Sequence, residues 1–167
     1  PNLPLDAPAF DAGFVPFNED TRDTSNADEI GPGGSTGLDL TGDGILLGIV
    51  DGGGIRTSHV DFEGRVTYFD GDGLDNHATH VSGTMVGGGI DRAEAVGFAP
   101  DARLWGWNFS RDTIDLLASV NPLMIASNHS YGFDLGWDRN GNWVGDEGFG
   151  KYTVGARRAD QAIAAFD

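Results

Sequence analysis

The sequence predicts an α/β protein built on a parallel sheet covered by helices. Three observations predict it. Unalternating apolar runs of strand length recur along the chain, helical patterns fall between them, and the first run stops at an acid followed by three glycines, Asp51-Gly52-Gly53-Gly54. Runs that are apolar on both faces suit strands buried on both sides, and strands alternating with helices are the pattern of parallel sheets wrapped by helices.

The elements follow in chain order. Residues 1–44 carry five of the seven prolines among many Asp, Asn, Gly and Ser, without sustained periodicity, so residues 1–40 are expected to form an extended amino-terminal arm. Phe10, Phe14 and Phe17 are spaced as aromatic anchors for docking it, and a floppy terminus is the other reading. Ile45–Val50 is the first buried strand, and Arg65–Phe69 is read as an edge strand. A helix is expected over His77–Val86. Ala102–Phe109 and Pro122–Ser127 repeat the buried-strand pattern, with a helix over Thr113–Val120 between them. Gly132–Gly150, rich in Gly, Asp and Trp, reads as an inserted loop. The last helix covers Tyr152–Phe166, with Val154, Ala159, Ala162, Ile163 and Phe166 near one face. Trp105, Trp107 and that apolar face are expected to be core.

Composition narrows the function. Against 10 Lys+Arg stand 26 Asp+Glu in 167 residues, a formal net charge of −16 and a pI of about 4.2. Nucleic acid and an anionic membrane surface both need clustered cations, so neither is expected as a partner. No apolar run reaches the roughly 18 to 20 residues that cross a bilayer. The absence of cysteine excludes disulfides and a thiolate nucleophile. The lack of cysteine leaves the redox compartment open and is compatible with a secreted protein, and the acidity favours solubility and suits a salty or calcium-containing medium.

Asp51 stands at the carboxyl end of the first buried strand, where open parallel sheets place functional groups, although an aspartate there also caps turns. A dinucleotide site fits poorly, because a carboxylate at Asp51 repels a pyrophosphate. His77 and His80 are spaced to share one face of a helix. A helical zinc pair is usually spaced by four with a glutamate between, which this segment lacks, so a general base at His77 and a more deeply set, structural His80 are expected. Asp138, Asn140 and Asn142 alternate as in a calcium loop, with Asp146 and Glu147 after them, but Trp143 and Phe149 stand where glycine and glutamate belong. No cofactor is expected for the chemistry, and calcium enters only as a structural ion. Asp39, Asp43, Asp70, Asp72 and Asp75 read as turn acids.

Four blocks in order make a resemblance. Ile49-Val50-Asp51-Gly52-Gly53, His77-Ala78-Thr79-His80-Val81-Ser82-Gly83-Thr84, Val96-Gly97-Phe98-Ala99-Pro100-Asp101-Ala102 and Ser127-Asn128-His129-Ser130-Tyr131-Gly132 together resemble the subtilisin-like serine proteases. The resemblance covers residues 41–167 and implies the amino-terminal half of a catalytic domain, a three-layer α/β sandwich with a mostly parallel sheet, incomplete in this chain. It implies Asp51 as the triad acid and His77 as the general base. Ser130, Tyr131 and Gly132 resemble the edge that pairs with an extended polypeptide substrate by β-augmentation. A serine is a poor nucleophile until a base takes its proton, and the acid orients that base.

The chain departs from the family at Ala78, where glycine is usual, and in having no Gly-Thr-Ser nucleophile block. None of its eight serines (25, 35, 58, 82, 110, 119, 127, 130) has that context. The expected partners are therefore a polypeptide substrate and the carboxy-terminal part of the domain, which carries the nucleophilic serine and the oxyanion asparagine. The chain alone is expected to be inactive. A non-catalytic subtilase-like domain that grips peptides, or a calcium-stabilised surface domain, is the alternative, and a metal hydrolase using His77 and His80 is the third. Asp61 matches a calcium position of some subtilases, but the rest of that site finds no match here.

Overall fold

In the computed structural model β1 (Leu46–Asp51) lies inside a four-stranded sheet, between β3 (Arg103–Asn108) and β4 (Met124–His129). Residues 18–111, 123–132, 136–138, 140–145 and 150–164 are described. The short β2 (Val66–Tyr68) completes the order β2-β3-β1-β4, and every pairing is parallel. Registers Asp51↔Asn108 and Val50↔His129 bring the carboxyl ends of the three long strands to one edge. The expected α/β parallel sheet is what the chain forms.

The strands form where the sequence is apolar on both faces. Ile49, Val50 and Leu104 are completely or almost completely buried, and with Ile55, Phe62, Val66, Ala78, Val86 and Ala102 they make up most of the core. Burying such side chains stabilises by roughly 1.5 to 3 kcal/mol each. Helix α2 (Asn76–Val86) turns Ala78, Ser82 and Val86, each four residues on, toward that core. Ser82 is fully buried, and its hydroxyl donates to the Ala78 carbonyl at 2.7 Å, so its polar group is satisfied there.

The end of α2 is closed by Gly97-Phe98-Ala99. Their amides donate to the carbonyls of Gly87, Thr84 and Met85 at 2.8, 3.0 and 2.9 Å, which pairs the groups a helix leaves open at its end. From there the chain passes through Pro100 into β3. Arg65 knits the same corner, its guanidinium donating to the carbonyls of Asp61, Val86 and Ala102.

Four expectations are corrected. The arm contains a helix, α1 (Asn18–Ser25), lying against the turn Ala93–Ala95, where an extended chain was expected. Thr24 and Ser25 donate back to carbonyls one turn earlier, and Ala27 bonds the Arg22 carbonyl, so local hydrogen bonding builds it without an apolar stripe. β4 is not buried on both faces. It is an edge of the described sheet, and Ile125 is 68% exposed. The last helix, α3 (Val154–Ala164), presents Val154 and Ile163 to solvent, because no described element packs broadly on it. A stripe marks the face a helix can bury, and a partner has to be there to bury it. Trp107 is buried and Trp105 half-buried, so the tryptophans follow expectation more closely. His80 is exposed, and so is not deeply set. The helix expected over Thr113–Val120, the anchors Phe10, Phe14 and Phe17, Phe166, and the acids Asp146 and Glu147 lie outside the described residues.

Candidate active site

The carboxyl end of β1 delivers Asp51 to the sheet edge, 4% exposed. A buried carboxylate needs partners. Its Oδ1 accepts from the Gly52 amide at 2.7 Å, and the imidazole Nδ1 of His77 lies 2.9 Å from Oδ1 and 3.1 Å from Oδ2. The two residues sit 26 apart in sequence and meet because α2 begins where the turn after β1 passes.

The turn after β1 is braced on both sides. Asn108, 6% exposed at the end of β3, donates its side-chain amide to the Gly52 carbonyl, and its own backbone amide donates to Asp70 at 2.7 Å. On the other side the Gly54 carbonyl accepts from the Asp75 amide at 2.7 Å. A Cβ on Gly53 would stand 2.8 Å from the Asp75 Cβ, so the close approach requires glycine there. Asp75 then starts α2 as its N-cap, with the carboxylate accepting from the Ala78 amide at 2.7 Å.

Because Asp51 occupies Nδ1, the tautomer that donates to the carboxylate leaves Nε2 as the proton acceptor. The His77 side chain is 56% exposed. The hydrogen bond to Asp51 and that carboxylate's charge raise the His77 pKa above its ordinary value of 6.5, and Asp75 pushes the same way against slight burial. The pair is thus an oriented imidazole whose Nε2 has no partner among the described residues, an arrangement able to activate a hydroxyl.

Ser130, Tyr131 and Gly132 follow β4 directly, beside the end of β1. Ser130 Oγ accepts from the Asn128 side-chain amide at 2.9 Å, and the Tyr131 hydroxyl pairs with His129 Nδ1 at 2.9 Å. The His129 ring in turn meets Ser127 Oγ at 2.9 Å through Nε2, and partial burial lowers its pKa. The Tyr131 ring packs 4.8 Å from that of Phe109, which covers Gly52. Burial and the charge of Asp51 raise the Tyr131 pKa.

Donor atoms of Asp51, Asp75 and His77 lie within 4.8 Å of one another. Within that set the carboxylate of Asp51 and Nδ1 of His77 are joined by a hydrogen bond, and an oxygen of Asp75 is taken by the Ala78 amide. His80 is not part of it. Asp138 accepts from the amides of Asn140 and Asn142 and the Asn142 side chain, so much of its carboxylate is used within its own turn. Asp61 accepts from the amides of Ile90 and Asp91.

Comparison with known proteins adds the family. The pattern of the subtilase family matches residues 42–163, an interval that contains Asp51 and His77 with the strand β1 and the helix α2 that carry them. This chain is a subtilase. Among solved structures, a cold adapted subtilisin-like serine proteinase superposes with a TM-score of 0.52 at 20% sequence identity. The match covers 76% of this chain and 45% of that one, so the chain spans less than half of the proteinase it resembles, and the likeness is one of fold. No curated protein matches the chain.

Sequence reasoning singled out Asp51 and His77, which the structure brings into contact, and missed the residues that hold them. Asp75, read as a turn acid, is the helix cap. An aspartate three residues before the Ala78 amide is the usual capping signal, visible once the helix is started at Asn76 instead of His77. Asn108 and Phe109 carried no signal, because only the register of β3 against β1 brings them to Asp51.

Proposed function

We propose that this subtilase chain supplies the acid and the base of a serine endopeptidase, with the nucleophilic serine and the oxyanion asparagine contributed by a carboxy-terminal part of the domain. The observation that carries the reading is the 2.9 Å contact between His77 Nδ1 and the buried Asp51 carboxylate. It fixes the imidazole so that Nε2 takes the serine proton as the hydroxyl attacks the scissile carbonyl. The imidazolium is then held by Asp51, and the proton passes to the leaving amine. A water activated by the same Nε2 releases the acyl group.

The substrate is an extended polypeptide. The Ser130–Gly132 segment continues an edge strand of the described sheet, and its backbone is suited to pair with a peptide strand. Tyr131 and Phe109 flank the acid there, with apolar ring faces for a substrate side chain.

Hydrolysis of an unstructured polypeptide by the natural protein that contains this sequence tests the proposal. A fluorophosphonate is expected to stop the reaction and a chelator that removes transition metals to leave it running. Inhibition by the chelator alone would assign the site to a metal hydrolase. Peptide binding without cleavage would make the domain a non-catalytic gripper.

A further inference from the structure

Asp75 has three connections, and each leads to the acid–base pair. Its backbone amide donates to the Gly54 carbonyl at 2.7 Å, while the Gly54 amide donates to Gly73 at 2.9 Å, so the strand leading to α2 is stitched to the loop leaving Asp51. Its own carbonyl accepts from the Thr79 amide and hydroxyl, at 3.2 and 2.8 Å. The Thr79 hydroxyl accepts in turn from the Arg56 amide at 3.0 Å, a second stitch between the same two segments. Its carboxylate caps the helix at the Ala78 amide with one oxygen, and a carboxylate oxygen lies within 4.8 Å of donor atoms of both His77 and Asp51.

We propose that Asp75 is a positioning residue of the acid–base pair: where the chain is stitched to the Asp51 loop its carboxylate caps the His77 helix, and the same carboxylate is a second acid beside the imidazole. The proposal rests on reading Asp51 and His77 as acid and base. One group does two jobs because the cap uses one oxygen and the negative charge is shared by both. The elements packed on α2 are β1, β3 and the turn Val60–Phe62. The charges acting on His77 are Asp51, at the end of β1, and Asp75, at the helix start; His59 and Asp61 beside that turn, Arg103 on β3, and His80 on α2 itself contribute no resolved effect on it. Two acids therefore hold the imidazolium, and they enter from opposite ends of one stitched loop.

The test is an NMR titration of His77 in the natural protein that contains this sequence, assigned with His77→Gln, together with exchange of the Ala78 amide. Asp75→Asn keeps an acceptor for the cap and removes the charge. It is expected to leave the Ala78 amide protected and to lower the His77 midpoint by about half a pH unit, the size of one unit charge at roughly 5 Å in water. Asp75→Ala is expected to lose the Ala78 protection as well. An unmoved midpoint in Asp75→Asn would overturn the role of the charge, and undiminished Ala78 protection in Asp75→Ala would overturn the role of the cap. Asp75→Asn decides the first point even where Asp75→Ala is too unstable to study. Neither readout needs turnover, so the role of Asp75 is decided even in a chain that never cleaves a peptide.

Discussion

At the scale of residues, the proposed chemistry rests on a single contact: Asp51 is buried and His77 is half in solvent, so the carboxylate is committed to the imidazole while the ring stays open to a partner. Because folding raises the His77 pKa, catalysis is expected to rise with pH along a limb whose midpoint lies above 6.5, and Asp51→Asn is expected to move it down. A pH profile of kcat/KM for the two proteins checks this. The same substitution should lower kcat by about 10⁴-fold, the cost of losing the correct tautomer. The linked effect on stability has a definite sign. The paired imidazolium stabilises the fold fully below the unfolded value near 6.5, and that contribution fades as pH climbs through the raised folded value. Asp51 and His77 were legible because each stands at a marked boundary, a buried strand's last residue and a helix's first turn. The depth of His80 was not, because periodicity shows which residues share a face and says nothing of what covers it.

At the scale of elements, the corner held by Arg65 is the clearest dependence. One guanidinium satisfies three carbonyls from three segments, and Arg65→Met would leave them without that donor. A loss of about 3 kcal/mol is expected, measured as a lower midpoint of urea unfolding at unchanged slope. Phe62→Ala, at a side chain 1% exposed beneath α2, is expected to cost about 3 to 5 kcal/mol by the same measurement. β1, β3 and α2 were readable from the sequence to within a residue or two. α1 was not, since its sequence is polar throughout and its hydrogen bonds are local. β4 reads as a buried strand by composition but has exposed sides, because burial of a strand depends on its neighbours.

At the scale of the whole molecule, the parallel order β2-β3-β1-β4 gathers the working residues at one edge while the apolar side chains of β4 and α3 stay uncovered. Leu123, Ile125, Val154 and Ile163 are each more than half exposed. On the proposed reading these surfaces await the rest of the domain, and adding that part as a separate polypeptide is expected to raise the thermal midpoint of this chain in a concentration-dependent way. The parallel sheet was visible in the alternation of patterns, whereas the strand order was not, because order is fixed by which buried faces meet.

The most direct measurement is the intact mass of the natural protein after reaction with a fluorophosphonate, with wild type beside His77→Ala. One added probe mass in wild type, on a serine outside these 167 residues, and at least 10³-fold slower labelling of the variant is the predicted result. Labelling at the same rate in both proteins would contradict the assignment of His77 as the base that activates the serine.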